Sequence, residues 1–170
     1  SALGAADDSA SAYGRSKAAG EAGVLRAFPT ATIIRPSIIF GREDKFINRF
    51  ANTIRMMPIV PVIGGDTQFQ PVYAGDVAKA ATAALDQGVF QGSVLELGGP
   101  ETVSMLDLNH WIADAIGRKR GFIEVPDAVA GILAVATGWL PGAPITSDQF
   151  KMLANDNVVT GLDGLVALGI

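Results

Sequence analysis

The sequence predicts an α/β protein, and three observations support this fold class. Apolar, β-branched stretches alternate along the chain with alanine-rich stretches that have a helical period. The run at 32–40 is apolar on both faces, which is typical of a strand buried in a parallel sheet. Hydrophobic residues make up 49% of the chain and charged residues 18%, a composition that favours a folded core over disorder.

The first predicted elements are a helix and a strand. The helix at 9–27 is alanine-rich, has Ser9 or Ser11 as a suitable N-cap, and ends before a proline, which cannot continue a helix. The strand at 32–40 contains Pro36. Because proline removes a ladder donor, we expect Pro36 at the carboxyl end of this strand or at a bulge.

The later elements are predicted from their apolar period and from their start and stop residues. In order, they are a helix at 44–57, strands at 59–63 and 68–73, a helix at 76–86 capped by Asp76, a strand at 94–97, a helix at 104–116 capped by Ser104, helices at 126–137 and 146–153, and a last segment at 161–168. A Pro/Gly-rich loop is predicted at 138–144. The longest apolar run, 129–140, is shorter than the roughly twenty residues of a spanning helix, so we expect a buried or interface helix, with a peripheral membrane contact as the alternative.

Charge and composition exclude several classes of function. The net charge is −4, so the chain has no electrostatic footprint for binding nucleic acid. The absence of cysteine excludes disulfides, thiol nucleophiles and cysteine metal sites. One histidine, His110, cannot form a zinc site alone, and we therefore predict no metal site. The lack of cysteine also fits a cytoplasmic protein.

A tyrosine and a lysine stand four residues apart in the first predicted helix, as Tyr13 and Lys17. Positions i and i+4 share one helix face, so the phenol and the ammonium are expected to project side by side. A cation beside a phenol favours the phenolate, which makes the group useful for proton transfer near neutral pH. The alternative is a surface helix that carries one tyrosine and one lysine without a chemical role.

Further segments accompany this pair in a characteristic order and spacing. They are Ser1-Ala2-Leu3-Gly4-Ala5, Arg35-Pro36-Ser37-Ile38, Phe40-Gly41-Arg42-Glu43-Asp44-Lys45-Phe46, Gln70-Pro71-Val72-Tyr73, Gly98-Gly99-Pro100 and Pro144-Ile145-Thr146-Ser147-Asp148. Together with Tyr13 and Lys17, they resemble the short-chain dehydrogenase/reductase superfamily in its extended and atypical branches, of the NAD-dependent epimerase/dehydratase type. The narrower resemblance is to the nucleotide-binding accessory subunit of respiratory complex I and its bacterial relatives.

The resemblance implies roles for individual residues. In this superfamily a tyrosine exchanges a proton with the substrate oxygen, a lysine holds the nicotinamide ribose, and a serine hydrogen-bonds the reacting carbonyl. These roles would fall on Tyr13, Lys17 and Ser1, with Ser9 or Ser11 as the alternative to Ser1. The segment whose backbone would pack along the nicotinamide ring comprises Pro36, Ser37 and Ile38.

The predicted dinucleotide fold is incomplete. Such a fold begins with a strand, a Gly-rich turn and a helix whose N-terminus receives the pyrophosphate, but no Gly-x-Gly-x-x-Gly stands in this chain. We expect residues 1–100 to be the carboxyl-terminal portion of a Rossmann-type, doubly wound NAD(P)-binding domain and residues 101–170 a small helical subdomain. As a fragment of a longer protein, the chain alone is expected to bind nucleotide weakly or not at all and to form homo-oligomers through the exposed sheet edge at 32–40.

Two functions stay open at this point. The first is an accessory subunit that binds NAD(P), mainly as a structural cofactor, and associates with complex I (NADH:ubiquinone oxidoreductase) subunits. The second is a free NAD(P)-dependent oxidoreductase, epimerase or dehydratase for a carbonyl or nucleotide-sugar-like substrate, with Tyr13 as general acid/base. The residue that distinguishes NADPH from NADH is not in this sequence. The expected location is cytoplasmic, with peripheral association at the inner membrane.

Overall fold

Helices and strands alternate along the chain in a computed structural model that describes residues 1–88, 90–137 and 145–170. The helices are α1 (Ala12–Ala27), α2 (Ile47–Met56), α3 (Ala74–Gln87), α4 (Met105–Ala115), α5 (Asp127–Thr137), α6 (Ser147–Leu153) and α7 (Gly164–Leu168). The strands are β1 (Ile33–Pro36), β2 (Ile39–Phe40), β3 (Ile59–Ile63), β4 (Gln68–Phe69), β5 (Val72–Tyr73), β6 (Val94–Leu97), β7 (Val103–Ser104) and β8 (Gly121–Val125). The predicted α/β fold class is confirmed.

Strand pairing is mostly parallel. β1 pairs with β6, β2 with β5 and β3 with β8 in parallel, whereas β4 and β7 are antiparallel. Parallel pairing requires a crossover that returns the chain to the same edge of the sheet. Each parallel pair therefore has both of its carboxyl ends at one edge. Among the described strands β1 has one partner, β6, and self-association through its other edge stays a prediction.

The chain forms two compact units that interleave in sequence. The first comprises 1–42, 70–102 and 157–170, and the second comprises 43–69 and 103–156. The packing therefore divides the chain differently from the predicted boundary at residue 100. The reason is that residues 43–69, which follow β2, pack with residues 103–156, while residues 157–170 pack with the first unit.

Each unit has its own hydrophobic core. In the first unit, β5 and β6 place fully buried side chains against α3 and α7, and these are Val72, Leu95 and Leu97. In the second unit, α2, β3 and α4 supply the buried side chains Ile54, Val60 and Ile112. Apolar burial of this kind is the main favourable term in folding.

Helix starts follow the local signals in the sequence. Ser11 caps α1 by accepting a hydrogen bond from the Gly14 amide at 2.9 Å, and Ser104 caps α4 in the same way with Asp107 at 3.0 Å. Asp76 does not cap α3, and this prediction is wrong. The helix begins at Ala74, so Asp76 lies inside the first turn and pairs with Lys79 at 2.8 Å.

Two predicted strands are broken and two observed strands were missed. The strand at 32–40 divides into β1 and β2, with Pro36 ending β1 as expected, and the strand at 68–73 divides into β4 and β5 at Gln70 and Pro71. β7 and β8 have no counterpart among the predicted elements, because β7 is only two residues long and residues 117–125 were not assigned to any element. The predicted loop at 138–144 lies outside the described residues.

A close backbone approach explains the glycines that follow β6. A Cβ atom at Gly98 would collide with the Gln70 side chain, and one at Gly99 would collide with the carbonyl oxygen of Pro71. The Gln70 side chain donates to the Gly99 carbonyl at 2.7 Å across this contact. The Gly98-Gly99 pair thus lets the end of β6 lie directly against the segment that leads into β5.

Replacing Gly99 by alanine is expected to lower the free energy of unfolding by about 1–3 kcal/mol, because the new methyl group overpacks against backbone that cannot yield easily. The matched control is Gly20→Ala in the interior of α1, where a Cβ meets nothing within 4 Å. That change should raise stability by about 0.5–1 kcal/mol, since glycine weakens a helix interior. Urea unfolding of both variants provides the measurement, and equal midpoints would contradict the close approach.

Candidate functional site

Tyr13 and Lys17 lie together on one face of α1. Tyr13 stands in the first turn with 40% of its surface exposed, and the Lys17 Nζ atom is 5.1 Å from the centroid of the phenol ring. The i, i+4 spacing therefore produces the side-by-side arrangement that the sequence predicts. Exposure of the phenol leaves it accessible to a ligand, while the half-buried lysine keeps its ammonium beside it.

The start of α1 is fixed by close packing around Gly14. This glycine is buried, and a Cβ atom on it would collide with the side chain of Ser9 and lie 2.9 Å from the carbonyl oxygen of Gly4. Ser9 and Ser11 approach each other at 3.3 Å between their Oγ atoms. The phenol of Tyr13 therefore projects from a helix end whose position is set by its neighbours in the chain.

A bidentate ion pair joins α1 to β1. Arg35 donates from Nε to Oε1 of Glu21 at 2.8 Å and from Nη2 to Oε2 at 2.6 Å. The two side chains are 23% and 10% exposed, respectively. The hydrogen bond from Arg35 lowers the pKa of the Glu21 carboxyl below its ordinary value, and the same bond raises the pKa of the guanidinium. Paired charges in this fork geometry are stronger than ordinary hydrogen bonds.

The structure does not bring Ser1 to the phenol. The Ser1 hydroxyl donates to Oε1 of Glu21, which stands eight residues beyond Tyr13, or about 12 Å along the helix axis. The segment after Ser1 lies beside β1, where the Leu3 amide donates to the Pro36 carbonyl at 3.1 Å. Ser1 thus lies near the predicted cofactor segment, and its catalytic role stays a prediction.

The segment Pro36-Ser37-Ile38 lies where β1 ends. The Ser37 amide continues the ladder to the Leu97 carbonyl at 2.8 Å. Ser37 is 6% exposed, and its hydroxyl donates to Oδ1 of Asn157 at 2.7 Å. The Ile38 amide donates to the same oxygen at 3.1 Å. Asn157 therefore fixes the backbone at the carboxyl end of a parallel strand, which is the usual place for a ligand in such sheets.

Sequence reasoning missed two of these partners. Arg35 carries the only charge in an otherwise apolar stretch, and a charge in a buried strand requires a partner, so this signal could have led to Glu21. Asn157 follows Ser37 by 120 positions and stands in a segment without a distinctive pattern. Nothing local in the sequence connects it with β1.

The second unit contains a cavity of about 530 Å³ at the carboxyl ends of β3 and β8. Its polar lining includes the carboxylates of Asp66, Glu124 and Asp127, and no lysine or arginine is among its described lining residues. A phosphate-bearing ligand would therefore find no cationic partner there.

Two further features, metal binding and membrane crossing, concern the described part of the chain. There, no group of three or more His, Cys, Asp and Glu residues could hold a metal ion. The His110 side chain is exposed, with its ring centroid 4.5 Å from that of Phe122. No helix within the described ranges has the length and apolar character that crossing a bilayer demands.

The comparisons with known proteins agree with the resemblance predicted from the motifs. The model of the RmlD substrate binding domain family matches residues 6–142. The protein named NADH dehydrogenase (ubiquinone) 1 alpha subcomplex subunit 9, mitochondrial, is 37% identical in Arabidopsis thaliana over 94% of this chain and 41% of the relative. The Mus musculus protein of the same name is 37% identical over 92% of this chain and 42% of the relative. The chain thus spans less than half the length of these relatives.

A solved structure shows the same fold. The dTDP-4-dehydrorhamnose reductase from Bacillus anthracis, in complex with NADP, has a TM-score of 0.63 and 16% identity, covering 92% of this chain and 53% of that chain. The predicted cytoplasmic location is wrong, because the relatives from Arabidopsis thaliana and Mus musculus are named as mitochondrial proteins. The absence of cysteine that supported it does not distinguish these compartments.

Replacing Glu21 by glutamine is expected to lower the free energy of unfolding at pH 7 by about 1–2 kcal/mol, between the values for exposed and buried charged hydrogen bonds. Because the pKa of Glu21 is lower in the folded state, its stabilising effect is present above its ordinary value of 4.5 and is lost as the pH falls through the folded-state pKa. Urea unfolding of both proteins at pH 7 and in acid measures this effect. A difference that does not change with pH would contradict the ion pair.

Proposed function

The chain belongs to the RmlD substrate binding domain family, and from this premise we propose that it serves as part of an accessory subunit of the respiratory NADH:ubiquinone oxidoreductase. In this role it contributes to holding a nicotinamide dinucleotide, which acts mainly as a structural cofactor. The observation that carries the proposal is 37% identity over 94% of the chain to a protein named as a subunit of that enzyme. Similarity of fold alone would not distinguish a subunit from an enzyme.

The residues at the candidate site fit the nicotinamide end of such a cofactor. Lys17 offers an ammonium that can donate to ribose hydroxyls, and Tyr13 offers an exposed phenol beside it. The backbone of residues 36–38 ends a parallel strand and is held in place by Asn157, so it can form a fixed wall for a flat ring. When bound, a nicotinamide dinucleotide supplies a hydride donor or acceptor.

An exposed apolar face on α5 supports the proposed association with other subunits. This helix buries its small residues Ala130 and Ala134, at 0% and 1% exposure, whereas Ile132 and Val135 are 69% and 74% exposed. Large apolar side chains on a helix surface typically mark a surface that contacts another protein or a membrane. The occupant that we propose is a protein subunit of the oxidoreductase, in line with the names of the relatives.

The second candidate is a free oxidoreductase for a carbonyl substrate. It is favoured by the Tyr13–Lys17 pair, because a cation held beside the phenol is the arrangement that proton transfer from a phenol requires. The substrate class proposed for this candidate is a carbonyl compound or a nucleotide-sugar-like compound.

Native electrophoresis separates the two functions. Membranes of the source organism are solubilised gently, complexes are resolved on a native gel stained for NADH dehydrogenase activity, and the protein is detected with an antibody against this chain. We expect it to migrate with the active band, because an accessory subunit stays bound under mild conditions. Migration only as a small species would contradict the proposal, and turnover assays of Tyr13→Phe would then test the free enzyme.

Polar substitutions on α5 test the partner surface. Replacing both Ile132 and Val135 by serine should at least halve the fraction that migrates with the active band, because an interface loses apolar area at its centre. The matched control is Leu85→Ser on α3, which removes a side chain of 84% exposure from the other unit. Equal loss with the control, or no loss with the double variant, would contradict the assignment of this face.

A further inference from the structure

Three side chains of one face of α1 compete for partners. Tyr13, Lys17 and Glu21 follow one another at intervals of four residues, so Lys17 is equally close in sequence to a phenol and to a carboxylate. On an isolated helix, a lysine and a glutamate at i and i+4 attract each other. Such an ion pair would draw the ammonium away from Tyr13, toward the C-terminus of the helix.

In the structure, the carboxylate has other partners. Both oxygens of Glu21 accept from Arg35, and Oε1 also accepts from the Ser1 hydroxyl. Within the described residues, Lys17 forms no ion pair, and its Nζ atom lies over the Tyr13 ring. The ammonium therefore stays with the phenol while the neighbouring carboxylate is occupied.

Arg35 is a better partner for the Glu21 carboxylate than Lys17 is. Its planar fork matches a carboxylate in two parallel hydrogen bonds, which a lysine ammonium cannot do. It projects from β1, where the ladder to β6 fixes its backbone opposite Glu96. Glu96 is itself engaged by the amides of Thr160 and Gly161, at 2.9 and 3.0 Å. Lys17 also precedes Glu21 in the chain, which is the weaker order for a helical pair.

We propose that Arg35 is a positioning residue for the Tyr13–Lys17 pair, because it holds Glu21 and so leaves the Lys17 ammonium free to stand at the phenol and to meet a ribose. This inference rests on the proposed nucleotide-binding function for its use, but the position of Lys17 can be measured without any nucleotide. The hydrogen bonds and the ion pair of Arg35 go to Glu21, and Arg35 acts on Lys17 through that carboxylate.

The test is an NMR measurement on the whole protein, free of nucleotide. Protons held over an aromatic ring resonate upfield, so the Lys17 side-chain methylene signals report how often the lysine lies at Tyr13. In Arg35→Gln, we expect this upfield displacement to fall by up to about twofold, which is the size of an i, i+4 helical pair. In the double variant Arg35→Gln/Glu21→Gln, the displacement should return, because the competing carboxylate is gone.

Control variants define the alternatives. Glu21→Gln alone should keep the displacement, as should Arg26→Gln, which removes an exposed arginine from the same helix. Tyr13→Leu should abolish it and thereby confirm its origin. Should Arg35→Gln fail to fold, Arg35→Lys retains the charge but not the fork, and a smaller fall in the same direction is expected.

The inference is overturned if Arg35→Gln, or Arg35→Lys in its place, leaves the displacement unchanged. It is also overturned if the double variant loses the displacement as the single variant does, since Arg35 would then act only on the structure. An NADPH titration of the wild-type protein addresses the other question. Absence of binding to the protein purified from the source organism would contradict the proposed function, since this chain alone is expected to bind nucleotide weakly or not at all, while the pattern of the Lys17 signals would still decide the role of Arg35.

Discussion

The parallel ladder between β1 and β6 is the interaction on which the first unit depends. The ladder aligns Ile33 with Val94 and Pro36 with Leu97, and it places Leu95 and Leu97 in the core at 0% exposure. α7 can approach this strand closely because it begins at Gly164, where a Cβ atom would lie 2.6 Å from Leu97. The burial of the β6 side chains and the hydrogen bonds between β1 and β6 together fix the position at which β1 ends. The candidate site includes that end of β1.

Side chains from segments distant in sequence form hydrogen bonds with the backbone amides and carbonyls that have no ladder partner at the strand ends. Buried backbone donors and acceptors require partners, and an irregular segment must obtain them from side chains. Gln70 donates to the Gly99 carbonyl at 2.7 Å and accepts from the Val159 amide at 2.9 Å, while Asn157 serves Ser37 and Ile38. The return of the last residues to the first unit is therefore a requirement of hydrogen bonding as well as of apolar packing.

Local signals allowed most elements to be predicted, because caps, prolines and apolar periods act within a few residues. Ser11, Ser104 and the end of β1 at Pro36 are examples in which a short-range constraint determined the outcome. The errors share a different cause. The separate strand β2, the strand β8 and the pairing of Arg35 with Glu21 all depend on partners distant in sequence, and no periodicity records such partners. The Tyr13–Lys17 pair was found because its geometry is local to one helix.

The two proposed functions make different demands on the serines that were considered as partners of the phenol. A phenol that transfers a proton to a carbonyl acts best when a second donor stabilises the same oxygen, and such donors must lie within hydrogen-bond reach of it. The Ser11 hydroxyl accepts from the Gly14 amide as a helix cap, and the Ser1 hydroxyl is bound to Glu21, far from Tyr13 along the helix. The ammonium of Lys17, in contrast, is held at the phenol with no competing ion pair among the described residues. The proposed holding role needs only the cation that Lys17 places beside the phenol, whereas the second candidate also needs a donor to the reacting oxygen, for which Ser9 and Ser11 stay candidates.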